Sequence, residues 1–421
     1  MLLYYLLFAV YFLCLCWLLP RIPFVKKAGI GQNAVMALFL LKVIAGLVIG
    51  WLSLHYYNAG NDYWDINREG VKEYHLLLAD PAEYFRNIFR SDYQQGYGGL
   101  FDSFQSFWND LKNNLVIKLV SLFNFFSRGN YYINSLFFNF IIFFGHVALY
   151  RIFSTIFSNR YRACIIGCFL LPSTLYFTSG IHRDGLFFLI MALLFYVIFF
   201  VGDERKAGWV RISAILVSVI LLFLLRNFIF ILMVPALIAW ALSLLIKRNA
   251  LLIFGIVYLL AGIMLAGMHQ FFPAADPLAM IVAKQTDYLS LPPSATAIPL
   301  EPLSPDLHSF VSNAPQSLNH ALLRPYIAEL PSTILLPMNI ELFIYQLLFV
   351  VFLFCRVRRQ IDPFLWFAVF FTLSVFLFIG YIVPNLGTLV RYRSLYWPLL
   401  IAPILCMIDW DKLARIIKSK K

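Results

Sequence analysis

Two aspartates three residues apart, Asp62 and Asp65, follow an apolar run that ends near His55. A D-x-x-D pair at a membrane exit puts carboxylates within a turn or two of the lipid headgroups. There, one of them can take a proton from a substrate hydroxyl or assist a metal. The plainer alternative is two solvated acids at a helix start, where negative charge is favoured. A second cluster, Thr178-Ser-Gly-Ile-His182-Arg183-Asp184-Gly185, falls between two apolar runs with almost no loop to spare. Three ionisable residues in a row beside hydrocarbon are costly unless they face a wet cavity or partners. Arg183 suits an anionic headgroup, because its planar fork donates two hydrogen bonds at once, with His182 or Asp184 orienting the group. A tight hairpin in which Gly180 and Gly185 merely permit the turn is the alternative. Arg226, Arg324 and the run Arg391-Tyr392-Arg393 are further candidates for anion binding, set against ordinary interfacial arginines that snorkel.

Other chemistries lack their signatures. The chain has no Walker motif, Gly-rich nucleotide fingerprint, HExxH or nucleophile elbow, so any energy for a reaction must arrive stored in the substrate. Cys14, Cys16, Cys164, Cys168, Cys355 and Cys406 all lie in or at the edge of apolar runs, which reads as neither a disulfide framework nor a zinc site. No cofactor is implied, and the residues leave a divalent metal open.

The elements that must position these residues are membrane helices. With 62% hydrophobic residues, apolar runs of about twenty recur from Leu2 to Ile408. A helix of that length spans ~30 Å of hydrocarbon and satisfies its own backbone there. The expected spans are 2–19, 33–54, 131–150, 162–179, 185–201, 210–225, 228–246, 250–269, 339–355, 363–383 and 394–409. The fold class is therefore an all-α polytopic integral membrane protein of about eleven spans, forming a single membrane domain over residues 1–421.

Basic clusters fix the orientation. Arg21/Lys26/Lys27, Arg151/Arg160/Arg162, Arg205/Lys206/Arg211, Lys247/Arg248, Arg356/Arg358/Arg359 and the tail from Lys412 fall on one side. The positive-inside rule makes that side cytoplasmic, which puts the N-terminus outside and the C-terminus inside. These segments hold 19 Lys/Arg against 5 Asp/Glu, whereas the outer segments hold 13 against 16. The net charge of +12 is thus an orientation signal in short loops and argues against nucleic-acid binding. The first run lacks a basic start and a small-residue cleavage site, as an out-to-in span would.

Two long outer segments remain, roughly 55–130 and 270–338. In the first, Tyr74–Phe89 and Phe101–Leu111 are expected as helices lying on the membrane, with a turn at 94–99. Val116–Phe126 is expected as an interfacial helix because Lys118 interrupts it. The second carries eleven prolines, which predicts little regular structure beyond a short helix over 314–323. Its interspersed Phe, Leu and Tyr favour an ordered lid. His146, inside the third span, is expected to hydrogen-bond between helices.

Several of these stretches resemble the multi-spanning glycosyltransferases of the GT-C type and the related polysaccharide repeat-unit polymerases. Gly60-Asn-Asp62-Tyr-Trp-Asp65 follows an early span. Pro172-Ser-Thr-Leu-Tyr-Phe-Thr-Ser-Gly-Ile-His-Arg-Asp-Gly185 is similar to a Pro-Ser…Ser-Gly-x-x-Lys/Arg-Asp/Glu stretch of such proteins. The Arg226…Pro235 and Gly387…Arg391-Tyr-Arg393…Pro398 spans recur there too. The likeness covers most of the chain through degenerate motifs, and the chain departs from the family in an extra apolar run before the acidic loop. The resemblance implies a catalytic base at Asp62, with Asp65 second. The implied donor is a polyprenyl-(pyro)phosphate sugar, and the acceptor a glycan, lipid or protein hydroxyl. It also implies a bacterial cytoplasmic membrane as the host. A lipid-linked sugar transporter is the reading from another class, and it would rest on Lys42 and His146.

Overall fold

The computed structural model describes residues 2–56, 62–99, 101, 106–201, 208–246, 248–271, 276–326, 329 and 336–418. Tyr57, Gly60, Asn61, Arg205, Lys206, Lys247, Pro273, Pro331, Lys420 and Lys421 lie outside the described residues. The protein is 81% helical, with no strand among the described residues. In chain order the helices begin with α1 (Leu2–Leu18), α2 (Pro23–Lys26), α3 (Gln32–His55), α4 (Asp62–Ala79), α5 (Pro81–Arg86), α6 (Phe107–Ser127) and α7 (Tyr131–Ile156). Then come α8 (Tyr161–Phe169), α9 (Pro172–Phe177), α10 (Arg183–Phe199), α11 (Gly208–Leu225), α12 (Asn227–Ile246) and α13 (Ala250–Phe271). The remainder are α14 (Pro277–Leu289), α15 (Leu307–Leu323), α16 (Leu336–Cys355), α17 (Pro363–Ile382), α18 (Leu386–Ser394), α19 (Trp397–Met407) and α20 (Trp410–Lys418).

Among the described residues eight helices are long and apolar enough to cross a membrane: Leu2–Arg21, Gln32–His55, Tyr131–Ile156, Gly208–Leu225, Asn227–Ile246, Ala250–Met268, Leu336–Cys355 and Pro363–Ile382. These are the properties of an all-α membrane protein. Three further expected spans take shorter forms. Segment 162–179 is split into α8 and α9 at Leu170–Leu171, because Pro172 disfavours helix in the residue before it. Segment 185–201 becomes α10, of 17 residues, and 394–409 becomes the 11-residue α19 behind a separate α18.

Packing divides the chain into two compact units, Met1–Ile152 with Leu175–Asn227, and Phe153–Thr174 with Phe228–Lys421. In the first unit the helices of the outer segment have other bounds than expected, α4 beginning at Asp62 and α6 running unbroken over Phe107–Ser127. Helices α4 and α6 run against one another at close range, because a Cβ at Gly70 would come within 2.8 Å of Val120 Cγ1. Three asparagines tie the two helices to one another, to α7 and to the turn before it. Asn124 Nδ2 donates to Gly70 O at 2.9 Å, Asn134 Nδ2 donates to Asn67 Oδ1 at 2.8 Å, and Asn67 Nδ2 donates to Gly129 O at 3.2 Å. The turn at 94–99 forms as expected, with Gly96 and Gly98 at φ +92° and +67°.

In the second unit a helix does cover 314–323, but it begins earlier, at Leu307, and α14 precedes it, which corrects the expectation of little regular structure elsewhere in this segment. Pro277 occupies the first turn of α14, where its missing N–H costs nothing, and Asp276 caps that helix. Helix α15 starts at Leu307 under an Asp306 cap and runs through Pro315. Pro315 is exposed, so water can satisfy the carbonyl it leaves unpaired. Behind it, α15 packs on α17 where Gly380 lets the Ser317 backbone approach.

Gly380→Ala is expected to destabilise the protein by about 1–3 kcal/mol through overpacking, since the added methyl would overlap the Ser317 carbonyl. Gly255→Ala, with nothing within 4 Å of the added atom, serves as control. Thermal unfolding in detergent compares the two, and equal midpoints would remove the close approach as a determinant.

Candidate functional site

Helix α3 ends at His55, and α4 begins with Asp62 and Asp65 in its first turn. Trp64 anchors that turn by donating Nε1–H to Gly50 O at 3.0 Å and by stacking on Tyr131, with ring centroids 4.2 Å apart. Asp65, Asp62 and Glu69 share one face of α4 by their spacing of three and four residues. Asp65 pairs with Arg68 and Glu69 with Lys72 on the same helix, exposed pairs of small energetic weight. Asp62 instead faces His182.

His182 is the N-cap of α10, and its Nδ1 accepts the backbone N–H of Asp184 at 3.0 Å. The other ring nitrogen, Nε2, stands 3.5 Å from Asp62 Oδ2. Asp184 Oδ2 lies 3.2 Å from Nδ1, and its Oδ1 is paired with Arg226. Asp62 is half exposed, whereas His182 and Asp184 are each 1% exposed. The four residues form a chain, Asp62–His182–Asp184–Arg226, whose middle two are buried. Arg226 neutralises the buried end, which would otherwise be a desolvated carboxylate.

In front of these residues lies a partly open cleft of about 190 Å³. Asp62, Asp65, Ile66 and Glu69 line it from α4, Asn113, Val116 and Ile117 from α6, and Arg183 from the start of α10. Arg183 is oriented by donating to Asn113 Oδ1 at 2.8 Å. The cleft thus combines a carboxylate supported from behind with a guanidinium at its rim. Such a site can accept a proton and hold an anion together. Glu69 and Asn113 were not among the sequence candidates, although the 62/65/69 spacing carried a signal for Glu69. Among the described residues no group of three or more His, Cys, Asp or Glu is arranged to hold a metal ion.

The turn that delivers His182 is held by residues of α3 and α7. Gly180 sits at φ +82°, where a Cβ would come 2.7 Å from Ile49 Cγ2. Lys42, fully buried in α3, donates to Thr178 O and Oγ1 at 3.0 Å each and lies 3.3 Å from Ser179 Oγ. His146 Nε2 is 3.2 Å from both Lys42 Nζ and Thr178 Oγ1, so it does hydrogen-bond between elements.

The other sequence candidates belong to the second unit. Arg393, expected at a phosphate, is buried and donates to Ala321 O at 2.9 Å and to Arg324 O, closing the end of α15. Arg324 bridges Glu329 Oε1 at 3.0 Å and His320 Nε2 at 3.3 Å. Tyr392 OH meets Tyr288 OH at 3.1 Å, and the Arg391 guanidinium lies 6.0 Å from the Tyr392 ring. Glu341, a buried acid in α16, escaped the sequence analysis. Both its oxygens accept Ser173 N–H at 3.0 Å, and Ser173 Oγ and Tyr345 OH donate to it as well. Its position near the start of an apolar run hid it among the outer-loop charges.

Two outcomes follow from these partners. Arg226→Met strands Asp184 and is expected to cost about 3 kcal/mol in detergent unfolding, with Asp184→Asn in the same chain recovering much of it. An equal loss in single and double variants would mean that the pair is not what stabilises this end. Burial, together with the adjacent Arg324 charge, holds His320 down at about 4, below its ordinary 6.5. Its contribution to stability is complete above pH 6.5 and lost as pH falls towards 4, because the unfolded chain takes up the proton first. His320→Gln should flatten the unfolding midpoint against pH in that window, and an unchanged slope would rule His320 out.

No family model matches this chain, and neither a curated protein nor a solved structure does.

Proposed function

We propose that this protein is a polytopic membrane glycosyltransferase. It would move a sugar from a polyprenyl-(pyro)phosphate donor to an acceptor hydroxyl in the assembly of cell-surface polysaccharide or glycoconjugate. The observation that carries this is the cleft in which half-exposed Asp62, backed by His182, shares a wall with Arg183. In the proposed step the acceptor oxygen attacks the anomeric carbon and its proton passes to Asp62. The bond to the phosphate oxygen breaks, and the lipid phosphate leaves with the electron pair. Arg183 stabilises the charge that grows on that leaving group. Buried His182 and Asp184 touch neither reactant and orient Asp62, with Arg226 balancing the charge behind them. The finer topology belongs to the same proposal. Eleven crossings result if α8–α9, α10 and α18–α19 complete the eight continuous helices, with the cleft on the outer face of a bacterial cytoplasmic membrane and the C-terminus in the cytoplasm.

Two further activities share parts of this arrangement. A repeat-unit polymerase would differ in the acceptor alone. A transporter of lipid-linked sugars draws support from Lys42 and His146, ionisable groups deep in α3 and α7.

The test is transfer from a synthetic polyprenyl-phosphate sugar by the protein in lipid nanodiscs. Asp62→Asn should lower turnover by on the order of 100-fold with donor binding little changed. Asp65→Asn should act more weakly, since Asp65 is engaged by Arg68. Arg183→Ala should weaken donor binding and turnover together, and lysine should rescue only in part because it lacks the fork. Wild-type transfer by Asp62→Asn removes it as base. Movement of intact donor across the bilayer without bond cleavage would favour the transporter.

A further inference from the structure

The C-terminal helix separates its residues by type. In α20, Trp410, Leu413, Ala414 and Ile417 fall on one face at helical spacing, and Asp411, Lys412, Arg415 and Lys418 fall on the other. No residue of α20 is buried, and Trp410 and Ile417 on the apolar face remain 39% and 57% exposed. The apolar face of this nine-residue amphipathic helix is thus left largely exposed.

The position of α20 identifies that partner. The chain between α19 and α20 is pinned to the end of α16, one of the candidate spans. Arg356 and Ile408 form an antiparallel bridge, Val357 N donates to Met407 O at 2.8 Å, and Asp409 N donates to Cys355 O at 2.6 Å. Lys412 Nζ reaches back to Phe354 O at 2.7 Å. Exposed Phe354 and Leu353 mark α16 as lipid-facing up to that level, so α20 begins where the hydrocarbon of that span ends. Charge completes the match. Arg356 and Arg358 on the exposed strap join Lys412, Arg415 and Lys418 around the same junction, against Asp409 and Asp411. Asp409 is already occupied, its Oδ1 accepting the Lys412 backbone N–H at 2.9 Å.

We propose that α20 lies in the membrane interface and, with the Arg356–Arg358 strap, binds the surface of anionic phospholipids. The apolar face would enter the headgroup–acyl boundary while the cations above it contact lipid phosphates. The basic tail would then be a lipid-binding element in addition to an orientation signal. This inference stands independently of the glycosyltransferase proposal, because it involves no residue of the cleft.

A nitroxide at Ile417→Cys, in a Cys14→Ser background that removes the one exposed cysteine, reports the depth of the helix in the full-length protein. Collision with oxygen and with a water-soluble nickel chelate is compared in nanodiscs of phosphatidylcholine alone and with roughly 30% phosphatidylglycerol. The label should be oxygen-accessible and shielded from nickel in the anionic discs. Arg415→Gln with Lys418→Gln should raise the water-exposed fraction roughly tenfold there, since each cation adds to the surface attraction. Salt at about 0.5 M, where screening shortens to a few ångströms, should act in the same direction. A label equally water-exposed in both disc types overturns the membrane location and leaves the face to a soluble partner or none. A label equally immersed in both, and indifferent to the two substitutions, overturns the anionic requirement.

Discussion

Hydrocarbon offers no hydrogen bonds, so every polar group that the chain carries into it must be answered by the chain itself. The buried charges Lys42, Glu341 and Arg393 meet that constraint in one way. Each is held chiefly by backbone or hydroxyl groups at a place where a helix starts or stops. Glu341 accepts the Ser173 N–H in the first turn of α9. Lys42 donates to the Thr178 carbonyl just past the end of α9. Arg393 donates to the last carbonyls of α15. Helix ends leave unpaired N–H and C=O groups, and a buried ion of the right sign satisfies them while being satisfied in return.

The break held by Lys42 is the one that the candidate site requires. A continuous helix through 162–199 would carry His182 past the cleft in the middle of a span. The interruption after α9, turned at Gly180, makes His182 the first cap of a new helix. The cap fixes the ring, because its Nδ1 is occupied by the Asp184 amide, and only Nε2 is left towards Asp62. The same turn brings Arg183 to the cleft and sends Asp184 inward to Arg226. Three consecutive residues thus face a neighbouring carboxylate, a pocket and a buried counter-charge.

Legibility in the sequence followed the length scale of the signal. The eight continuous helices were plain from hydropathy, because a twenty-residue apolar run has few alternatives. Asp62, Asp65, His182, Arg183, Asp184 and Arg226 were legible as candidates, because charge beside hydrocarbon is conspicuous. Lys42 was visible as a charge within an apolar run, yet nothing local showed which helix end it served. Glu341 was hidden by lying at the margin of a span. Nothing local showed that Arg393 would reach carbonyls 69 and 72 residues away, since in sequence such an arginine looks like one facing an anion. The α4–α6 pair was missed as a pair because the groups that join it, Gly70, Asn124 and the Lys118–Glu73 ion pair, carry no hydropathic signal.

By itself, then, the sequence determined the class of the molecule and its candidate residues. Both follow from the cost of placing groups in lipid, a property that each residue carries alone. The tertiary structure decided which candidates meet. Asp62 meets His182 across 120 residues and Asp184 meets Arg226 across 42, while Arg183 joins Asn113 across 70. Such pairings depend on where helices break and which faces touch, and those choices are settled by packing and by the satisfaction of helix ends in three dimensions.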